Sequence, residues 1–495
     1  MSFLRPGALC VALAAAFPAV ASAASDADLK QLRQQLRELR DSYQQLRELR
    51  DSYQQRIEAL ERRLAETEQR AAGAATAAAA AGSTATTAVQ SVAKVEAQAA
   101  EAQAVAASVA SRPVSASAFN PSVSLIIDSK FTRFQRDPGG YRIDGFIPSG
   151  GEVGPPRKGF SLGESELAFS ANVDHLFRAN ARFALAEDDG AGVVEVEEVN
   201  VETLGLSSGL KVKAGRFLSG VGYLNQQHPH EWDFADAPLA YKAFFGYRLQ
   251  NDGVQLRWVA PTDLFLELGT EVASGQKFPG AERNRNGAGL WTAFAHLGGD
   301  IGTSSAWQVG LSHVRTNPRE RGFEDGADAT GTALAHSFSG RSQTWIADFV
   351  YKWAPNGNSS VTNLKVQGEY FQRRETGDLN YDIGGLTEAS SAARFRQSGS
   401  YLQAVYQFMP RWRVGVRGDW LDSGTANLGS LDPAGLPLLA GYNASRQSAM
   451  LDWSPSEFSR LRLQLARDKS RRDESDNQIW LQYIMSLGAH GAHKF

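Results

Sequence analysis

The fold class is decided by the last stretch of the chain, residues 477–495, which reads NQIWLQYIMSLGAHGAHKF. Large apolar residues occupy every second position there: Ile479, Leu481, Tyr483, Met485 and Leu487, with Phe495 ending the chain in the same parity. The positions between them are mixed in character. A period of two with one apolar face is typical of a β-strand and not of a helix. The segment alone leaves open whether that face meets lipid or the core of a soluble sheet.

The composition of the 495 residues restricts the class of protein. A formal net charge of −3, with 21% charged residues, gives no bulk electrostatic attraction to nucleic acid. Beyond the first 25 residues no apolar run is long enough for a membrane-spanning helix, but barrel strands alternate lipid-facing and lumen-facing residues and keep a low mean hydropathy. The single cysteine, Cys10, falls within the leader described next, so the mature chain is expected to lack thiol chemistry and disulfides.

Three segments are predicted ahead of the strands. Residues 1–23 combine an arginine, an apolar core and the triplet Ala-Ser-Ala, which is typical of a secretory signal peptide. Residues 24–70 are predicted to form a coiled coil, because apolar residues follow spacings of three and four, and the unit LRELRDSYQQ occurs twice in tandem. Self-association is the preferred interpretation, and a single charge-rich helix is the alternative. Residues 71–118 are rich in alanine and predict a partly helical periplasmic spacer.

Residues 119–495 predict an all-β transmembrane barrel of about sixteen antiparallel strands, with fourteen or eighteen as alternatives. Short connections with turn residues alternate with long polar ones, among them 136–159, 316–341, 374–396 and 424–445. Short turns at one end and long loops at the other are typical of outer-membrane barrels. A barrel of this size would leave an aqueous lumen wide enough for small solutes.

Two stretches carry a resemblance to a known family: GFSLGESELAFSANVDHLFRANARFAL (159–185) and LKVKAGRFLSGVGYLNQQHPHEWDFADAPLAYKAFFG (210–246). With the leader, coiled coil and barrel, they resemble the phosphate-selective (O/P-type) porin superfamily and its coiled-coil-bearing siderophore-porin relatives, often labelled zinc-regulated outer-membrane receptors. The resemblance implies an outer-membrane channel of a Gram-negative bacterium, with a homotrimer by analogy with general porins. It also implies that Phe495 is part of a signal read by the outer-membrane assembly machinery. It does not identify the solute.

Basic residues recur on one face of several predicted strands. This is the face that would line the lumen of a barrel. Because a charged side chain facing mid-membrane lipid costs about 2–4 kcal/mol, they are expected to point inward or to lie at the rims. The candidates for pore lining and selectivity are Arg178, Arg182, Lys211, Lys213, Arg411, Arg413, Arg417, Arg460 and Arg462. An inward basic ladder would favour anions. The alternative is neutralisation by acids predicted on the same wall, which are Glu164, Glu166, Glu267, Glu271, Glu369 and Asp419.

Residues 220–246 are long for a connection and rich in aromatics, which predicts a loop folded into the lumen as a constriction. Its candidate constriction residues are Tyr223, Trp232, Phe234 and Tyr241. The same segment offers a candidate metal site formed by His228, His230, Glu231 and Asp233. The alternative is a structural loop held by hydrogen bonds, since a His-x-His spacing alone is a weak signal.

The function expected from the sequence is a passive outer-membrane porin for small hydrophilic solutes, with anions or metal-linked solutes as the narrower expectation. No catalytic motif is marked by its spacing, so neither enzyme activity nor a cofactor is expected. The expected partners are outer-membrane lipid, the assembly machinery and further copies of the chain, joined through coiled coil and barrel, and no nucleic acid. Two alternatives remain open: a ligand-specific receptor for a metal complex or siderophore, and a barrel-anchored structural tether with a periplasmic coiled coil.

Overall fold

The structure, a computed structural model, describes residues 121–150, 153–188, 191–281, 286–327 and 331–488. The predicted signal peptide, coiled coil and spacer, together with Phe495, lie outside these residues. The described chain forms one antiparallel sheet of eighteen strands. Their bounds are β1 (Ser122–Phe134), β2 (Gly159–Leu162), β3 (Ser165–Asn172), β4 (Phe177–Asp188), β5 (Ala191–Thr203), β6 (Leu210–Leu218), β7 (Gln250–Val259), β8 (Phe265–Ala273), β9 (Leu290–Ile301), β10 (Ser305–Thr316), β11 (Arg321–Ala327), β12 (Ala333–Trp353), β13 (Asn363–Tyr381), β14 (Ala389–Met409), β15 (Trp412–Asp422), β16 (Ser445–Ser456), β17 (Ser459–Lys469) and β18 (Asp476–Gly488).

The sheet closes on itself because β1 pairs with β18 along eleven residues, from Ser124 opposite Gly488 to Phe134 opposite Gln478. Two places in the wall are each shared by two short strands. Strands β2 and β3 pair with successive parts of β1, and β10 and β11 pair with successive parts of β12. The eighteen strands therefore occupy sixteen wall positions. This confirms the prediction of a sixteen-strand barrel.

The two faces of the wall differ in the way that a lipid-facing barrel requires. In β18 the apolar residues Ile479, Leu481 and Tyr483 point outward and are exposed, whereas Gln478 and Gln482 point inward and are buried. The same division continues in β17, where Leu463 lies outside and its neighbour Arg462 is fully buried inside. An apolar outer band around a polar interior is the arrangement of outer-membrane barrels. The period of two in the sequence therefore marks the lipid face.

Connections at one end of the barrel are short, whereas several of those at the other end are long. The long end includes the segments 135–158, 219–249 and 423–444. Two of the predicted long loops, 316–341 and 374–396, are mostly strand instead, because β12, β13 and β14 run for 21, 19 and 21 residues. Their inward residues Phe338 and Leu379 are buried against Leu436 of the 423–444 connection. Beyond the membrane the outer face of these strands meets water while the inner face stays packed, so the apolar outer residues that mark a strand are no longer required there.

Helical structure in the described residues is limited to short pieces in the connections. One α-helix, α1 (Leu239–Phe245), lies between β6 and β7. The 3-10 turns are Pro138–Gly140, Ser207–Gly209, Pro229–Glu231, Pro355–Gly357, Pro433–Gly435 and Pro437–Leu439. No helix in the described ranges is both long enough and apolar enough to cross a membrane.

Leu463→Arg tests the assignment of the outer face. Leu463 lies near the middle of β17, beside the outward Leu451 and Leu481 of the neighbouring strands. We expect the variant to lower the free energy of unfolding in lipid vesicles by about 2–4 kcal/mol, the cost of arginine near the membrane midplane. Thr303→Arg, in the short connection between β9 and β10, is the matched control and should leave stability unchanged. Equal stability of the two variants would contradict the lipid-facing assignment.

Candidate functional site

The connection between β6 and β7, residues 219–249, folds into the barrel interior and is called the lumen segment below. Helix α1 is buried, as are Pro229 and His230 of the 3-10 turn at Pro229–Glu231. The segment leaves α1 through Gly246, whose φ of 68° is left-handed and whose Cβ, if present, would lie 2.3 Å from the Ser149 carbonyl oxygen. A glycine is therefore required for the chain to turn back toward the wall.

One side of the lumen segment is apolar. The rings of Tyr241, Phe244 and Phe245 on α1 lie 5.2, 5.5 and 5.7 Å from the ring of Phe371 on β13, centroid to centroid. Phe146, from the 135–158 connection, packs against Phe244 from the other side. The Tyr241 hydroxyl donates to the Glu369 carboxylate, which also accepts from the backbone N–H of Leu224. The helix is thus fixed to β13 by ring packing and by hydrogen bonds.

A second side is anchored by two aspartates. Asp233 lies 3.1 Å from the Lys365 ammonium and 3.0 Å from the Arg413 guanidinium. Asp236 lies 3.0 Å from Arg417 and 2.6 Å from Arg446. Both carboxylates are buried, and each contacts two basic side chains of the wall. The partners of Asp233 belong to β13 and β15, and those of Asp236 belong to β15 and β16.

These cations control the ionisation of both anchors. Burial alone would raise the pKa of Asp236, but Arg446 and Arg417 more than offset it and hold the pKa well below its usual range. Lys365 and Arg413 do the same for the pKa of Asp233. For Lys242, on α1 near Asp236, burial is the stronger influence instead. It outweighs the attraction of Asp236 and lowers the pKa of Lys242 to about 8. The two aspartates are therefore charged at neutral pH.

The third side faces β3 and β5 and is rich in carboxylates. His228 Nδ1 lies 2.9 Å from a Glu166 oxygen and 3.4 Å from a Glu197 oxygen, and its Nε2 lies 3.2 Å from Glu198. Glu197 and Glu198 are consecutive and still face the same site, because the pairing of β4 with β5 shifts register between Arg182 and Phe183. Arg248, at the end of the lumen segment, bridges Glu164 and Glu197.

The structure places eight of the nine predicted basic residues at inward positions of the wall, where most are paired with acids. Their closest acidic partners are Glu166 for Arg182, Glu202 for Lys211, Asp452 for Arg413 and Arg462, and Asp236 and Asp419 for Arg417. Arg178 donates to the hydroxyl of Ser170, and Arg460 donates to the backbone carbonyl of His230. Lys213 lines the cavity described below. Arg411 instead lies in the turn between β14 and β15 and donates to the Pro455 carbonyl, so it is a rim residue.

All four aromatics predicted for a constriction, Tyr223, Trp232, Phe234 and Tyr241, are buried in the lumen segment. The four predicted metal ligands are not brought together. The turn at Pro229–Glu231 directs the Glu231 carboxylate back to the His228 backbone N–H, and Asp233 pairs with Lys365 and Arg413 instead. Only His228 and His230 share a site, and it is built with glutamates of the wall.

Several residues that hold the lumen segment were missed by the sequence analysis. Arg446 could have been predicted as a lumen residue, because the alternation of residues along β16 places it on the inward face. Phe371 and Arg248 could not, since their roles depend on contacts with α1 and with the carboxylates of β5. These contacts join parts of the chain that are far apart in sequence.

On the short-turn side of the lumen segment lies a cavity of about 1060 Å³, called the vestibule below. Seven basic and six acidic side chains line it, so its formal charge is close to balanced. The basic ones are Arg182, Lys213, Arg257, Lys352, Lys365, Arg413 and Arg460, and the acidic ones are Glu166, Glu198, Glu231, Asp233, Glu267 and Glu457.

A closed antiparallel wall with an apolar outer face and a charged interior defines the class: the described chain is an outer-membrane-type β-barrel. The chain is 33% identical over 408 residues to an uncharacterized protein of Aquifex aeolicus (strain VF5), an alignment that spans 77% of this chain and 81% of that protein. The chain belongs to the same family as this Aquifex protein. No protein-family model matches the sequence.

Solved structures similar to this chain are outer-membrane proteins of low sequence identity. A loop-deletion mutant of OmpT, an outer-membrane protein of Vibrio cholerae, has a TM-score of 0.47 and 11% identity, over 74% of this chain and 99% of that one. Pseudomonas putida OprB has a TM-score of 0.44 and 12% identity, over 74% and 94%. An anion-selective porin from Comamonas acidovorans has a TM-score of 0.43 and 12% identity, over 74% and 99%. The likeness concerns the fold.

Proposed function

We propose that the protein is an outer-membrane channel for passive diffusion of small hydrophilic solutes, with the lumen segment as its gate. The observation that carries the proposal is the closed barrel with a charged interior, in which the vestibule ends at a segment held by side-chain contacts. A charged, water-accessible wall is what a polar solute needs to cross a membrane.

We infer that the lumen segment blocks the lumen, because it touches the wall on several sides. It contacts β3 and β5 through His228, β13 through Glu369 and Phe371, and β15 and β16 through Asp236. In the described state a solute that enters the vestibule therefore meets packed side chains. Passage requires the segment to move.

Movement of the segment is energetically feasible because ions make up much of its attachment. The attraction within a buried ion pair is largely offset by the loss of hydration, so charges that return to water recover much of what they lose. The chain connections at β6 and β7 keep the segment tethered when it leaves the wall. We infer that open and closed states differ by the position of this segment within an unchanged barrel.

Single-channel recording in planar bilayers tests the proposal. Folded wild-type protein and the Asp236→Asn variant, whose anchor is weakened, are compared in the same KCl solutions. Conductance steps from either protein support a diffusion channel. Silence from both, with barrels shown to be folded, would overturn the proposal.

For selectivity we propose a weak preference for anions, since the vestibule has a small excess of basic residues and Arg460 pairs there with a backbone carbonyl. Arg460→Glu reverses one charge of the vestibule lining. We expect the reversal potential in a KCl gradient to shift toward cations. Arg467→Glu, on the outward face of the same strand, is the control and should leave the potential unchanged. A shift of equal size in both variants would refute a role for the vestibule.

A second candidate, a ligand-specific receptor, is favoured by the same closed lumen. A ligand that binds the vestibule and displaces the lumen segment would show saturable binding, whereas a simple porin would not.

OmpT of Vibrio cholerae has been solved in a trimer form. We keep a homotrimer, the O/P-type porin resemblance and the periplasmic coiled coil as predictions for this chain.

A further inference from the structure

We propose that Glu166, Glu197, His228 and His230 form a binding site for a divalent transition-metal cation, with Zn²⁺ as the best match. The site lies where the lumen segment meets β3 and β5. Diffusion through a channel needs no metal, so this inference goes beyond the proposed function.

The distances between the ligand atoms suit a small cation. One oxygen each of Glu166 and Glu197 and one nitrogen of His228 all lie within 4.8 Å of one another. His228 Nδ1 is 2.9 Å from Glu166 Oε2 and 3.4 Å from Glu197 Oε2, and His230 Nδ1 is 3.7 Å from Glu166 Oε2. Tetrahedral zinc with bonds of about 2.0–2.1 Å separates its ligand atoms by about 3.3 Å. Glu166, Glu197 and His228 would therefore supply three ligand atoms after small side-chain adjustments, and His230, which lies outside that set of three, would have to rotate toward the ion to supply the fourth.

The surrounding side chains orient these ligand atoms. Oε1 of Glu166 accepts from Arg182 and Oε1 of Glu197 accepts from Arg248, which leaves each Oε2 directed at the imidazole of His228. The other nitrogen of His228, Nε2, faces the carboxylate of Glu198. A metal-bound histidine in proteins commonly donates its second N–H to a carboxylate in this way.

An independent observation concerns Glu197. Its side chain is buried, and its Oε2 lies 3.4 Å from His228 Nδ1 but receives no hydrogen bond within the described ranges of the chain. A buried carboxylate oxygen without a hydrogen bond costs free energy, and coordination of a cation would remove that cost. An Arg248 guanidinium nitrogen lies 3.4 Å from His228 Nδ1 and would have to move slightly when the ion binds.

The local charge also favours a cation. Five carboxylates, those of Glu164, Glu166, Glu197, Glu198 and Glu231, surround the histidines. Three cationic groups oppose them: the guanidinium groups of Arg182 and Arg248 and the ammonium of Lys213 near Glu198. The negative excess must be balanced inside the barrel by protons or by a bound ion. A mixed set of imidazole and carboxylate ligands suits zinc better than magnesium or calcium, which prefer oxygen alone.

The site is accessible to a dissolved ion and would connect two parts of the molecule. Glu166, His228 and His230 all line the vestibule, through which an ion could arrive. Glu166 and Glu197 belong to the wall, whereas both histidines belong to the lumen segment. An ion bound to both would hold the segment in its closed position. At a free ion concentration of about 100 times Kd, linkage favours the closed form by roughly 100-fold.

Calorimetric titration of the folded, chelator-treated full-length protein with Zn²⁺ tests the site directly. We expect one ion per chain, and a Co²⁺-loaded sample should show the absorption bands of tetrahedral coordination. His228→Ala should lower the affinity by roughly tenfold or more. Glu197→Gln, which keeps size and shape, provides the same test if the histidine variant does not fold.

His313→Ala is the matched control, since His313 lies on β10 beside Trp345, away from the vestibule. Its affinity should equal that of the wild type. Absence of Zn²⁺ binding to wild type, or binding unchanged by both site variants, would overturn the proposal. Because the measurement is made without a membrane potential or a solute, its result is independent of whether the protein conducts.

Discussion

Replacing Asp236 with asparagine is expected to open the channel. The variant keeps the size of the side chain but removes the one carboxylate that Arg417 and Arg446 share, and leaves each arginine with a single acid on the wall, Asp419 or Asp468. Loss of one partner from a buried ion pair costs about 3–5 kcal/mol, and here the cost falls on the closed state, in which these groups are buried. The ratio of open to closed channels should rise by up to roughly two to four orders of magnitude. Single-channel recording would show this as a large increase in open probability.

The control for this experiment is Asp252→Asn. Asp252 forms a comparable pair with Arg216, 2.6 Å apart, but both side chains are substantially exposed on the outer surface. Exposed pairs contribute about 0–1 kcal/mol, so gating should be unchanged. An open probability of Asp236→Asn equal to that of the wild type and of this control would show that the aspartate does not hold the gate.

Phe371→Ala should release the lumen segment by a different route. Phe371 is fully buried and touches three rings of α1, so its truncation leaves a cavity beneath the helix. Phenylalanine-to-alanine changes in packed interiors cost about 3–5 kcal/mol. Limited trypsin digestion provides the measurement, because the buried Lys242 of α1 is protected until the segment leaves the wall. We expect cleavage after Lys242 in the variant while the barrel remains folded.

Tyr370→Ala is the matched control, because the neighbouring Tyr370 is 49% exposed on the outer face of the same strand. It should leave the lumen segment resistant to trypsin. If the two variants are cut equally, or if neither is cut, α1 is not held by its contact with Phe371.

The barrel was predictable because lipid imposes a simple pattern on the sequence. Residues such as Leu461, Leu463 and Leu465 must face hydrocarbon, so their spacing marks a strand without any knowledge of its neighbours. The pattern does not extend to the outer parts of β12, β13 and β14. Water on their outer side removes the requirement for apolar residues, and these parts were therefore assigned to loops.

The site was predictable only in outline. The aromatic content of residues 220–246 indicated a segment inside the lumen, but not what it contacts. Asp233 meets Arg413 across 180 positions of the chain, a pairing set by the curvature of the closed wall. The proposed ligand set differs from the predicted one because a register shift in β5 turns Glu197 and Glu198 toward His228. A bulge of this kind depends on strand pairing, so the spacing of residues in the sequence does not reveal it.

The remote anchors of the lumen segment also constrain the order of folding. Asp236 and Trp232 bind side chains of β15, β16 and β17, which are synthesised long after β6 and β7 and are needed to close the wall. Contacts between distant parts of a chain form slowly, because a large loop must close before they contribute. The segment can therefore complete its docking only when these last strands are in place. We expect an assembling barrel to pass through a stage in which the segment is attached to its earlier partners alone and its interior is less obstructed than in the folded protein.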